Sequence, residues 1–229
     1  MRYALPWFAG VLVGALLFLV VLYYNPLANG HAMSPLAVSG QPLVDLAYSR
    51  VPAEAIAYTN NGDKRLKPYP EKIGELWEPT IRKTSVLVTL LSDGSGTARG
   101  LGVKFASESE RTTLLKGEAL IDSAWHVFLP DSGSLFIDQT ENMWFYVRDI
   151  VLPARWSSAD SWRGTWYGVT TAGPTALGTA KVAGGTGRFA DVATEAVEAI
   201  NARAYSALQG PVSATGSLTI VAVEPVAQQ

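Results

Sequence analysis

The chain has 229 residues, 48% of them hydrophobic, with 18 Lys and Arg against 20 Asp and Glu and a net charge of −2. A length of this order suits one domain plus extras, since domains commonly run about 100–200 residues. The lack of cysteine excludes disulfides and thiolate chemistry, and with no basic cluster beyond Lys64-Arg65-x-Lys67 the charge carries no footprint for nucleic acid.

The first element is Ala4 to Tyr24, which holds no charged residue and is almost entirely apolar. As a helix it spans about 31 Å, the thickness of a bilayer's hydrocarbon core, and it reads as a transmembrane anchor over 1–24. A cleaved signal peptide is the competing reading. Its apolar core is usually about 7–15 residues and ends at a small-residue cleavage site, whereas this core is longer and Ala28-Asn29-Gly30 is a mediocre site. Pro6 fits the first turn, and Trp7, Tyr23 and Tyr24 lie near the two ends as interfacial aromatics do. Gly10 and Gly14 form a small-xxx-small pair, a spacing that also arises by chance in such spans. Arg2 precedes the span, and the next basic side chain is Arg50. The positive-inside rule then places the N-terminus in the cytoplasm and the rest outside, in the periplasm if the membrane is a bacterial inner membrane.

Residues 25–81 read as a Pro-rich tether and irregular extension. Pro26, Pro35, Pro42, Pro52, Pro68, Pro70 and Pro79 break it too often for a long helix or a central strand. Leu43, Leu46, Tyr48, Ile56, Tyr58, Ile73, Leu76 and Trp77 give it more apolar weight than a disordered linker needs, so part of it is expected to lie against the domain. Val51 to Thr59 is a candidate short helix.

Residues 82–229 change to short β-prone runs separated by turns. Thr84–Leu91 and Thr97–Phe105 flank Ser92-Asp93-Gly94-Ser95-Gly96 as one hairpin, and Ala119–Leu129 and Ser134–Gln139 flank Pro130-Asp131-Ser132-Gly133 as another. Asn142–Leu152, Trp162–Thr171, Thr175–Val182, Thr194–Tyr205 and Ala214–Val223 supply five more runs. Glu108 to Gly117 reads as a helical turn or a loop. Such spacing predicts an all-β domain, an antiparallel barrel or sandwich.

Within it, Gly178–Phe189 reads GTAKVAGGTGRF. Gly184, Gly185 and Gly187 imply a sharp, crowded corner, and Phe189 is placed to plug the fold just beyond it. A strand, a GGTG turn, a basic residue, Phe and a second alternating strand resembles the signature of the allene oxide cyclase and dirigent-protein β-barrel superfamily, over about Ser134 to Ile220. The resemblance implies an antiparallel barrel of about eight strands that holds an apolar or reactive small molecule and steers its conformation. It transfers no active-site residue to this chain. Helix propensity favours a helix over 195–204, while the resemblance makes it a strand. The run Gly185-Thr186-Gly187-Arg188-Phe189-Ala190 also fits G-x-G-x-x-A, but no Asp or Glu lies between Ala199 and Val223 to hold a ribose, and the chain ends too soon for further βαβ units.

The catalytic inventory is thin. His31 lies in the tether. His126 shares a strand face with Asp122 and Glu118, opposite Ile121, Trp125 and Val127, and that polar face is expected to be the wet outside of a barrel. No nucleophile elbow, phosphate loop or metal-ligand pair appears, so no metal and no cofactor is expected. Aromatic residues are the stronger signal. Read as strands, Asn142–Leu152 aligns Trp144, Tyr146 and Arg148, and the next run aligns Trp162 and Trp166, each beside a Gly that leaves room for the ring. These five are the candidate ligand-binding residues, in a filled core or an apolar pocket. Two functions follow: an outward-facing, membrane-anchored barrel that binds an apolar or lipid-like small molecule and steers its cyclisation or coupling, or a non-catalytic accessory subunit docked to other membrane subunits through helix, extension and barrel surface.

Overall fold

The computed structural model describes residues 4–24, 42–51, 58–59, 64–65, 84–190, 192 and 194–222. Twelve strands are described: β1 Pro42–Ser49, β2 Tyr58–Thr59, β3 Lys64–Arg65, β4 Ser85–Ser92, β5 Ala98–Glu108, β6 Leu120–Leu129, β7 Gly133–Asn142, β8 Ser161–Val169, β9 Thr171–Gly173, β10 Ala180–Gly185, β11 Thr194–Ser206 and β12 Gly210–Ala222. Pairing runs β10-β11-β12-β1-β4-β5-β6-β7, and β7 pairs back to β10. Eight antiparallel strands therefore close into a barrel, and closure removes the unpaired edges that would otherwise recruit another chain. Beyond the end of short β10, β8 pairs with β11 and β9 with β7, so the β8–β9 segment fills the rest of that slot.

The helix-prone stretch 195–204 lies within β11. Its Ala and Glu side chains alternate across the wall, with Ala196, Glu198, Ile200 and Ala202 inward, and its ladder to β12 runs nearly the whole strand. Tertiary pairing overrides the local preference.

Two expectations fail. Pro42–Ser49, which the sequence places in the tether, is a barrel strand, paired to β12 from Pro42 to Ser49 and touching β4 at Ala47. Its proline stands at the first position, where a missing donor is tolerated, and Leu46 and Tyr48 face the core. The domain boundary at residue 82 is therefore too late. The second failure is the strand expected over Asn142–Leu152. Residues 144–156 are helical and are called α2, with a π-helical turn at Val147–Val151 just before Pro153. Tyr146, Ile150 and Ala154 recur every fourth residue on the buried side, a period that competes with the alternation of Trp144, Tyr146 and Arg148. Proline lacks the N–H of a regular helical bond, and the wider π turn stands where that bond would be lost. Of the short helix expected over Val51–Thr59, only Val51, Tyr58 and Thr59 lie among the described residues, and Tyr58–Thr59 pair with Lys64–Arg65. His31 also lies outside them.

The N-terminal helix α1 is Ala4–Tyr24. Its described side chains from Pro6 to Val21 are exposed and cover about 24 Å of helix, and among the described residues no helix is long and apolar enough to cross a membrane.

At the glycine corner, Gly187 takes φ +62°, and a Cβ there would lie 2.5 Å from Ser132 O. Thr186 N donates to Ser134 O at 2.8 Å and Arg188 N to Ser132 O at 2.8 Å, so the corner clamps the β6–β7 hairpin. A Cβ at Gly185 would meet Phe189 O at 2.5 Å, while one at Gly184 would meet nothing. Phe189 is buried in the core with Leu46, Leu91, Val127, Leu135, Ile137, Leu218 and Ile220.

Candidate functional site

The barrel interior is apolar at the glycine-corner end and charged at the other. Five strands send one or two polar residues into the charged half on their inward parity. Tyr48 comes from β1, Lys104 from β5, Ser123 and Trp125 from β6, Gln139 and Glu141 from β7, and Glu198 from β11. Arg50, just beyond β1, reaches into the same layer with its side chain 21% exposed.

Glu198 is the centre, fully buried. Lys104 Nζ donates to both of its carboxylate oxygens at 2.8 Å, Trp125 Nε1 donates at 3.0 Å and Arg50 Nη1 at 3.2 Å. Tyr48 OH and Gln139 Nε2 donate to it as well. Burial drives the Glu198 carboxyl upward, but the charges of Lys104 and Arg50 and the hydrogen bonds from Lys104 and Tyr48 outweigh it and hold the group well below the usual carboxylate range. Burial, followed by the Glu198 charge, pushes the Tyr48 phenol well above its ordinary value, which keeps it a neutral donor. Lys104 also bridges to Glu141 at 2.7 Å, and Ser123 Oγ donates to Glu141 at 2.7 Å. Thr171 fixes the surroundings, donating to Gln139 Oε1 at 3.2 Å and accepting from Glu198 N at 2.7 Å.

Glycine makes room for this layer. Tyr48 stands opposite Gly216, where a Cβ would fall 2.0 Å from the phenol ring. Gly102 likewise leaves space for Trp125, whose ring a Cβ would meet at 2.8 Å. The Tyr48 and Trp125 rings meet edge to face at 5.0 Å.

A cleft of about 290 Å³ opens onto the layer. Its walls are Val86, Leu87, Ala106, Ile121, Met143 and Pro211, and Arg50, Ser85, Lys104 and Glu141 complete the lining. A mostly apolar recess with a few convergent polar groups is the usual make-up of a small-molecule site, and this one is at the small end of the size range. Two cations and two carboxylates converge here in a low dielectric. Buried ion pairs add little stability over an apolar filling of equal volume, which makes the layer the candidate functional site.

The five aromatic and basic candidates do not line this cleft. Trp144 and Tyr146 are buried on α2. Tyr146, with Ile150, Ile200, Ala202 and Ala214, forms a second apolar cluster over the charged layer, and Trp162 and Trp166 pack against it. Arg148 turns aside to Asp149 at 2.6 Å and lies over the Phe145 ring, while Trp166 Nε1 donates to Asp149 at 3.3 Å. The Trp162 and Trp166 rings do lie over Gly164 and Gly168. These residues form a plug, not the lining of the cleft. His126 is on the outer surface, stacked on Phe136 at 4.5 Å, and Asp122 pairs with Arg111 at 2.7 Å.

Sequence reasoning missed Glu198, Lys104 and Glu141, yet a signal was present. Gln139 and Glu141 continue the parity of Leu135 and Ile137, and Glu198 that of Ala196 and Ile200, so a polar residue stands where an inward apolar one belongs. The protein is thus, by fold and site, a closed eight-stranded antiparallel barrel with an ion cluster in its lumen. No protein-family model matches the chain, and no curated protein is similar to it.

Proposed function

We propose that the barrel binds an apolar small molecule with one polar end. The apolar body lies along Val86, Leu87, Ile121 and Met143, and the polar end meets Arg50, Lys104 and Glu141. The observation that carries this reading is the cleft itself, which passes from an apolar wall onto a buried ion cluster. An allene oxide cyclase-like role accords with it, since a narrow cleft limits the ligand's conformers and the Lys104 ammonium and Glu141 carboxylate can donate and accept a proton during cyclisation or coupling. In this proposal the whole of Ala4–Tyr24, about 31 Å, anchors the chain in a membrane with its N-terminus inside and the barrel outside.

Native mass spectrometry of the gently extracted full chain tests the binding. The expected result is a retained small apolar mass that Ile121→Trp, which fills the cleft, displaces. A chain that carries no adduct, and whose melting temperature does not respond to fatty acids, isoprenoid alcohols or sterols, overturns the proposal.

A second reading, the accessory subunit, is favoured by the outer wall. Cross-strand neighbours there form three mostly apolar rows, Leu90–Leu101–Phe128, Val88–Val103–His126–Phe136 and Val86–Phe105–Ala124, broken only by His126. These rows span about 14 Å by about 14 Å between backbone positions, about 200 Å², so the partner they fit makes a small contact and not a large obligate interface. On this reading Phe105→Asp with Phe128→Asp releases co-purifying membrane subunits and leaves the cleft ligand in place. Unchanged co-purification removes the outer wall from the argument.

A further inference from the structure

The two ends of the barrel differ in what they expose. At the glycine-corner end the turns are polar, with Asp93, Gly94, Ser95 and Gly96 in one and Asp131, Ser132 and Gly133 in the next. At the other end three separate segments carry exposed apolar side chains. Leu208, at the tip between β11 and β12, is 87% exposed, Trp156 at the end of α2 is 70%, and Leu114 between β5 and β6 is 45%.

These segments are tied into one rim. Ala207 N donates to Asp160 O at 2.8 Å, which joins the Leu208 tip to the turn after Trp156. Met143 N donates to Ala119 O at 2.9 Å, and Asn142 Nδ2 donates to Gly117 O at 3.0 Å, which joins the start of α2 to the loop of Leu114. The exposed basic residues Lys116 and Arg155 sit beside two of the apolar tips. The apolar helix α1 ends at the same rim, with the Tyr23 ring 5.9 Å from the Trp156 ring.

We infer that this rim rests on the bilayer surface, with Leu208, Trp156 and Leu114 in the interface, and that the cleft therefore takes a bilayer-resident amphiphile. The inference rests on the membrane anchor proposed above. Leu and Trp tips flanked by Lys and Arg are the chemistry that the headgroup boundary accepts, at a depth of about 5–10 Å. The continuity of the rim with α1 selects the bilayer over a protein partner, because a helix leaving the membrane at Tyr24 sets Trp156 down at its surface. Arg50, Ser85, Met143 and Pro211 of the cleft belong to this same end. A ligand can thus pass from lipid to Lys104 without crossing bulk water.

Because the chain has no cysteine, single-cysteine variants report one position each. Full-length Leu208→Cys, Leu114→Cys and, at the far end, Gly94→Cys, where a side chain meets nothing, are labelled with bimane. Each is reconstituted in phosphatidylcholine–phosphatidylglycerol vesicles with and without brominated lipid. The expected result is that brominated lipid at least halves the emission at 208 and 114 and leaves 94 unchanged. Equal emission at all three positions, in chains that stay with the vesicles through an alkaline carbonate wash, overturns the rim and spares the anchor. Loss of the chains in that wash removes the anchor and the rim with it.

Discussion

The two halves of the lumen fill the same cylinder by opposite means. Near the glycine corner, Leu46, Leu91, Val127, Leu135 and Ile220 pack against one another in an apolar cluster. A few residues further along the same strands, Tyr48, Lys104, Gln139, Glu141 and Glu198 fill it with charge. Strand geometry is common to both halves, so the difference lies in what each side chain demands of its neighbours. An apolar residue asks only for volume, whereas Glu198 needs every donor that surrounds it. The apolar half should yield gradually to substitution, and the charged half all at once.

Glu198→Ala tests this most severely. It leaves Lys104 buried with Glu141 alone, and the expected loss is about 3–5 kcal/mol by denaturant unfolding. A loss below about 1 kcal/mol would mean that the layer is wet and not a closed network. Replacing the charges together, with Arg50→Met, Lys104→Met, Glu141→Gln and Glu198→Gln, which keeps an acceptor for Tyr48 and Trp125, should restore most of the stability while abolishing ligand retention, since a buried ion cluster contributes little over a neutral filling. The same carboxylate has a pH signature. Its folded pKa is depressed below the ordinary 4.5, so its contribution is present above about 4.5 and lost as pH falls toward about 2. Glu198→Gln should flatten that acid limb in thermal melts at successive pH values.

Leu135→Ala, in the apolar half beside Gly185, comes next at about 2–5 kcal/mol, from lost transfer energy and the cavity left behind. Its acid limb should run parallel to wild type, and a change of slope there would blur the division between the halves. Gly216→Val is smaller, at about 1–3 kcal/mol, because the new side chain must displace the Tyr48 ring. Its distinguishing readout is tyrosine near-ultraviolet dichroism, which should change with the lost Tyr48 packing. An unchanged spectrum at full stability would place Tyr48 elsewhere. His126→Gln, on the outer wall, should stay within about 0.5 kcal/mol, and a larger loss would show that the outer lattice contributes to the fold.

What the amino-acid sequence determined by itself is local. Alternation and turn chemistry place the hairpins around Ser92–Gly96 and Pro130–Gly133, and Gly187 marks the corner where positive φ is needed. The same alternation turns His126 and Asp122 outward, because a period of two separates the faces of any half-buried strand. Only the tertiary structure decided three things. It made Pro42–Ser49 a strand, because a short run with a proline at its start gains its ladder from β12, far along the chain. It made 144–156 a helix, because Tyr146 and Ile150 find their apolar partners on β11, β12 and the β8 wall. And it assembled the site, because Tyr48, Lys104, Glu141 and Glu198 are neighbours only once the barrel closes. Each is legible alone as a polar residue on an inward parity, but a charge becomes tolerable in a core only when its partners arrive from other strands, and long-range pairing is what delivers them.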